Sequence, residues 1–180
     1  MTSLPAQCSP RRQQTGAATA AELVRSAQRG DTRALAELLD VLAPYVGRLC
    51  GPIALDEGAD AAQEALIVIC RSLGRLSDPA ALYGWVRTIT IREAVRVASR
   101  AARVQAAEAA DVPQPGDPQL AVHIRDVLDG LSPHDRAVLV LRDLEGLDEA
   151  TVSELLAVPA GTVKSRLHRA RHNFQKAWQR

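Results

Sequence analysis

The chain has 180 residues, 47% of them apolar and only 3% aromatic, with a formal net charge of +1. That length accommodates one or two compact domains with buried cores, and a composition dominated by Ala, Leu, Arg and Val suits helices better than twisted sheets. No run of eighteen apolar residues exists, the start MTSLPAQCSPRRQQTG lacks the apolar block of a signal peptide, and Cys8, Cys50 and Cys70 form no CxxC pair. These features argue against membrane insertion, export, and a disulfide or zinc framework, so the expectation is a cytoplasmic, all-α protein.

In chain order, residues 1–19 are polar, proline-containing and aperiodic, the pattern of a disordered tail. From Ala20 to Leu49 apolar residues recur at helical spacing, as in Leu23, Val24 and Ala27, then Leu35, Leu38, Leu39 and Leu42, with Gly30 and Pro44 as breaks. A third pattern covers Asp60 to Leu76, with Leu66, Ile69, Leu73 and Leu76 on one face. The Ser77-Asp78-Pro79 turn separates it from a fourth, from Leu82 to about Arg103. Residues 104–118 lose the period and gather Pro113, Pro115 and Pro118, which marks a flexible linker. Beyond it the pattern gives helices at about 119–130, 133–145, 148–156 and 160–178. Ser132 stands as N-cap, Pro133 at the first helical position and Asp135 three residues after the cap. The architecture expected is two small helical domains, 20–103 and 119–180, joined by a strap.

Charge is unevenly placed. Residues 121–160 carry three Arg against eight acids, a net of −5, whereas residues 161–180 carry six Lys and Arg and no acid, a net of +6. The basic block falls on the second helix of a helix, short turn, helix pattern at 147–174. Val163, Leu167, Ala170 and Phe174 share one apolar face of that helix. The opposite face presents Thr162, Lys164, Ser165, Arg166, His168, Arg169, Arg171 and His172, donors suited to phosphates and guanine edges in a major groove. His168 and His172, one turn apart, have no third ligand nearby, so no metal site is expected.

On the helix at 60–76, Asp60, Gln63 and Glu64 lie side by side on a polar, exposed patch, which by itself reads as a solvated first turn favoured by the helix dipole. Further on, Arg92, Arg96, Arg100 and Arg103 fall within about one quadrant of a 3.6-residue helix, a stripe that repels itself unless a polyanion neutralises it.

The run Leu131-Ser132-Pro133, Arg136, Val140-Leu141-Arg142, Glu145-Gly146-Leu147, then Gly161 to Leu167 with Arg169-Ala170-Arg171, closely resembles region 4 of extracytoplasmic-function sigma factors. The resemblance covers about fifty residues. It implies that the helix bearing GTVKSR contacts a minus-35 element through Thr162, Lys164, Ser165, Arg166, Arg169 and Arg171. Two positions depart from the family pattern: Ala157 stands where the turn glycine is usual, and Ser153 where alanine is. Asp60-Ala61-Ala62-Gln63-Glu64 resembles the DxxQE signature of sigma region 2.2, which implies docking on the polymerase through Asp60, Gln63 and Glu64. Leu82 to Ile89, with Trp85, resembles the opening of regions 2.3 and 2.4. This implies that Arg92, Arg96, Arg100 and Arg103 meet the minus-10 element. Asparagine is usual near Arg92 and aspartate near Arg96, so the preferred bases do not carry over.

The resemblance makes the expected function that of a promoter-specifying subunit, with core RNA polymerase, promoter DNA and an anti-sigma factor as partners, and no cofactor or small-molecule substrate. A self-sufficient helix-turn-helix regulator is the alternative, but residues 20–103 show no receiver-like alternation of strands and helices. Asp60 and Glu64 are imaginable as an acid and base, yet no Gly-rich loop, metal set or nucleophile accompanies them, which argues against an enzyme.

Overall fold

The structure is a computed structural model that describes residues 11–108, Arg125 and residues 127–178. Those residues form helices and turns, with no strand among them: α1 (Arg11–Gln28), α2 (Thr32–Ala54), α3 (Gly58–Ser72), α4 (Leu82–Glu108), α5 (Pro133–Leu139), α6 (Glu149–Leu156) and α7 (Ala160–Trp178). The described part of the segment expected at 119–130, Arg125 and residues 127–129, is helical.

Local chemistry sets most boundaries. Gly30 turns the chain after α1 at φ +96°, and the Asp31 carboxylate caps α2 by accepting from Arg33 N at 2.9 Å and Ala34 N at 3.1 Å. Gln28 Nε2 donates to Leu73 O and Leu76 O, tying the end of α1 to the turn after α3. Asp78 caps the 3₁₀ turn Pro79–Ala81 that leads into α4. Ser132 caps α5 as expected, its hydroxyl accepting from Asp135 N at 3.2 Å.

Several expectations are corrected. Helix α1 begins at Arg11, inside the stretch read as an aperiodic tail, and α4 runs to Glu108, past the expected end near Arg103. Pro44 does not break α2, which passes through both Pro44 and Pro52. Pro44 and Asp40, whose carbonyl Pro44 has no N–H to bond, are both exposed residues, so the helix tolerates the proline on its solvent side. The helix expected at 133–145 is α5 followed by a π-helical turn, Val140–Leu144. The remainder of the linker, 109–118, lies outside the described residues.

The stretch 32–75 is long and apolar enough to cross a membrane by composition alone. It is folded back at Leu55, which adopts φ +53°, ψ −115°, and α3 then packs along α2. A Cβ on Gly58 would meet Gly51 Cα at 3.1 Å, so glycine permits the close approach at this bend. Leu38, Leu42, Val46 and Leu49 of α2, Ala61, Ala65 and Ile69 of α3, and Leu82, Val86, Ile91 and Ala94 of α4 make the first part of the core. That core continues without a gap into Ala137, Val138, Leu141, Val152 and Val163 of the second unit. Trp85 packs against it. Cys50 is fully buried there, and burial, then the charge of Glu93, pushes its thiol up to about 12, the chemistry of an inert packing group.

Three polar contacts lock the units together, one of them an ion pair between Arg125 and Asp56. The buried Arg136 guanidinium donates from Nε to Ile53 O at 2.7 Å and from Nη1 to Leu131 O at 3.1 Å and Leu128 O at 3.2 Å. It thereby supplies a cation and a donor to the C-terminal end of α2, where carbonyls lack helical partners. Glu145, one residue past the π turn, accepts from Tyr45 Oη at 3.1 Å and pairs with Arg48 at 3.0 Å and Arg87 at 3.9 Å. Burial and the neighbouring Glu145 push the Tyr45 phenol up to about 12.

Candidate nucleic-acid interface

Helices α6 and α7 form the helix-turn-helix. Asp148 caps α6, accepting from Thr151 N at 2.8 Å and Thr151 Oγ1 at 3.1 Å, and these hydrogen bonds hold its carboxyl below the usual range. The helix stops at Ala157, which takes the left-handed conformation (φ 52°, ψ 45°) that glycine adopts without strain. Ser153 Oγ donates to Val158 O at 2.6 Å across the same turn, and Val158 N donates back to Ser153 O at 3.1 Å. The two departures from the family pattern therefore meet: a strained alanine, and a serine hydroxyl that clamps the turn around it. Pro159 O then accepts from Thr162 N and Val163 N and opens α7.

Val163, Leu167 and Ala170 are buried and Phe174 is half-buried, so the apolar face of α7 is the one expected. Lys164, Ser165, His168, Arg169, Arg171 and His172 are exposed on the opposite side, whereas Thr162 and Arg166 are half-buried. Arg166 Nη1 is buried and makes no hydrogen bond. Arg169 is gripped from both sides of its fork by Asp135, Nη2 to Oδ1 at 2.8 Å and Nε to Oδ2 at 3.2 Å. Arg171 is paired with Asp143 in the same way. The bidentate fit orients each guanidinium. Asp135 is 5% exposed; its amide serves the Ser132 cap while its carboxylate holds the recognition helix, a second role that its place after the cap does not reveal.

In the first unit, Asp60 and Gln63 are exposed and Glu64 is half-buried near the start of α3. Arg92, Arg96, Arg100 and Arg103 are exposed along α4. The structure brings these two sets together. Arg96 Nη2 lies 2.6 Å from Glu93 and 3.4 Å from Glu64, and a groove of about 180 Å³ has Asp60, Gln63 and Glu64 on one wall and Arg100 on the other. The arginine stripe is thus not four unmatched cations, because carboxylates beside it neutralise Arg96. Sequence spacing gave no sign of this cross-helix pairing, nor of Arg136 and Glu145 as contacts between units.

A helix-turn-helix with a cationic outer face, packed on a second helical unit bearing adjacent acidic and basic surfaces, is the architecture of a DNA-binding protein. A family profile described as Sigma-70, region 4, matches residues 122–173. The RNA polymerase sigma-H factor of Pseudomonas aeruginosa is 32% identical over 182 residues, covering 88% of this chain and 93% of its own length. The ECF RNA polymerase sigma factor SigE of Mycolicibacterium smegmatis is 30% identical over 131 residues, covering 66% of this chain and 51% of its own. Among solved structures, the sigma factor RpoE of Bartonella quintana, in complex with the anti-sigma factor NepR, has the same fold. It gives a TM-score of 0.60 at 21% identity over 79% of this chain and 95% of its own. The chain belongs to the extracytoplasmic-function sigma factors of RNA polymerase, which decides between a polymerase subunit and a self-sufficient regulator in favour of the subunit. These relatives are sigma factors rather than enzymes.

Proposed function

We propose that this sigma factor works in the cytoplasm as a non-catalytic subunit that places core RNA polymerase on promoters, with the labour divided between its units. Asp60, Gln63 and Glu64 dock on the polymerase. Arg92, Arg96, Arg100 and Arg103 face the minus-10 element, with Arg96 exchanging its carboxylate partners for phosphate. Thr162, Lys164, Ser165, Arg166, Arg169 and Arg171 read the minus-35 duplex, and Arg166 leaves its half-buried position to do so. An anti-sigma factor is the expected regulator; no cofactor or small-molecule substrate takes part. The observation that carries the reading is the outer face of α7, where cations stand on a helix anchored by Val163, Leu167 and Ala170.

Run-off transcription on cognate promoters, with chain alone, core alone and both together, tests it. Transcripts are expected only from the mixture. Lys164→Ala should reduce them by the equivalent of about 1–3 kcal/mol if it contacts a base, and Glu64→Arg should abolish stimulation of core while leaving the fold intact. Unchanged initiation in both variants would overturn the assignment of these surfaces.

A further inference from the structure

Asp135 and Arg169 form a pair in which one member is fixed and the other is only half committed. Asp135 lies in the first turn of α5, where its amide donates to the Ser132 cap at 3.2 Å, and its side chain is almost wholly buried. The carboxylate therefore has one place to be. It accepts from Arg169 Nη2 at 2.8 Å and from Nε at 3.2 Å, while the Arg169 side chain remains 58% exposed. A guanidinium carries five N–H groups, one on Nε and two on each terminal nitrogen. Asp135 takes the side edge, one hydrogen from Nε and one from Nη2. The end edge is left, where one hydrogen of Nη1 and the other of Nη2 point outward in parallel.

Position on α7 decides what that edge can meet. At about 100° per residue, Thr162, Ser165 and Arg169 fall within about 60° of one another. Arg171, two residues on, lies about 160° away from Arg169 and lines an apolar cavity with Pro52 and Phe174. Its own grip, on Asp143, therefore serves the flank of the helix and not this face. Two parallel donors match the N7 and O6 acceptors on the major-groove edge of guanine, and no other base presents that pair of acceptors. A guanidinium free to swing on its long side chain would lose rotamer freedom on meeting a base. Held by a buried carboxylate, Arg169 has lost that freedom before DNA arrives, and one edge and one direction remain to it.

We infer that Asp135 determines sequence specificity in this sigma factor without touching DNA: by holding the side edge of Arg169, it aims the end edge at N7 and O6 of one guanine in the minus-35 element. The inference deepens the reading of α7 given above and rests on it. Asp135 is a positioning residue, and Arg169 makes the contact. The carboxylate stays paired while the base is read, so carboxylate and guanine share one guanidinium.

The test transcribes a promoter library, randomised over both elements, with the full chain and core RNA polymerase. Sequencing the run-off products gives the base preference at each position. The wild type should prefer guanine about tenfold or more at one minus-35 position, the discrimination of one bidentate pair. Arg169→Lys keeps the charge, removes the fork and should lose that preference alone. Asp135→Asn should lose most of it as well, with preferences at the other positions kept within about twofold, whereas a residue that only supported the helix would lower them all. Asp135→Glu keeps the charge but moves it by one methylene, so its preference should be intermediate. In the Arg169→Lys background, Asp135→Asn should change nothing further at that position. An Asp135→Asn profile that matches the wild type overturns the inference, as does a loss spread evenly over the element. If Asp135→Asn does not fold, an unchanged Asp135→Glu profile does the same. A wild-type chain that shows no minus-35 preference with core overturns the reading of α7 itself, an outcome distinct from a preference that is present but indifferent to Asp135.

Discussion

Replacing Ala157 with glycine should stabilise this protein, the reverse of the effect of glycine inside a helix. Ala157 sits at φ 52°, ψ 45°, where an L-residue costs about 1–2 kcal/mol relative to its right-handed form. Glycine removes that cost but adds about 0.5–1 kcal/mol through the greater freedom of its unfolded chain. The balance is a gain of about 0.5–1 kcal/mol, and at ~2–4 °C per kcal/mol for a chain of this size the melting midpoint should rise by about 1–4 °C. Ser153→Ala makes the complementary change. It deletes the 2.6 Å hydrogen bond to Val158 O, worth about 1 kcal/mol, and regains about half of that through the better helix propensity of alanine. Thermal unfolding of the full chain, followed by far-ultraviolet circular dichroism, measures both variants and their combination. Because the residues share one turn, the double variant should depart from additivity. A midpoint lowered by Ala157→Gly, or raised by Ser153→Ala, would refute the account of a strained turn held shut by a serine.

Arg136→Ala should be among the most damaging single changes, costing about 3 kcal/mol or more, because it strips a buried charged donor from the carbonyls of Ile53, Leu128 and Leu131; chemical denaturation measures it, and a cost under about 1 kcal/mol would show that water replaces the guanidinium. Asp148 adds an acid-sensitive increment. Its folded carboxyl titrates below the unfolded value of 3.8, so the stability it contributes is present above that value and is lost as pH falls through the lower, folded one. The melting midpoint of the wild type should therefore fall more steeply than that of Asp148→Asn as pH is lowered below about 4. A specific protease site inserted between Pro113 and Pro118 should yield two fragments that still coelute in gel filtration, since the core runs through both units. Separate elution would mean that the contact between the units is too weak to hold them together.

The sequence was most informative where a feature is local. The apolar stripe Val163, Leu167, Ala170 and Phe174 and the Ser132-Pro133 start of α5 both report on one helix and its own backbone. So does the outward face from Lys164 to Arg171. Pro44 misled because the penalty for proline in a helix depends on whether the unbonded carbonyl reaches water, and periodicity does not carry that information. The polar start of α1 and the extension of α4 to Glu108 lack the apolar repeat on which boundary reading relies. The least legible features were those made by partners distant in sequence. Arg136 and Glu145 read as ordinary charges within a family motif. Their carbonyl and cation partners come from α2 and α4, 83 residues away for Ile53 and about a hundred for Tyr45 and Arg48. The pairing of Arg96 with Glu64 is likewise invisible until α3 and α4 are laid side by side.

The grip of Asp135 on Arg169 and of Asp143 on Arg171 bears on how the protein spends its time between promoters. A recognition helix with bare guanidinium groups would be drawn to any stretch of chromosome, and a bacterial genome offers roughly a million or more such competing stretches. Here two of the cations travel with counterions built into the fold. An encounter with arbitrary DNA releases fewer bound salt ions, and the entropic pull toward idle sites is correspondingly weaker. If Arg169 and Arg171 read DNA as proposed, a base edge or phosphate must contend with an aspartate already in place. On the proposed reading, the same acids that orient the helix also weaken the hold of bulk DNA on the free subunit.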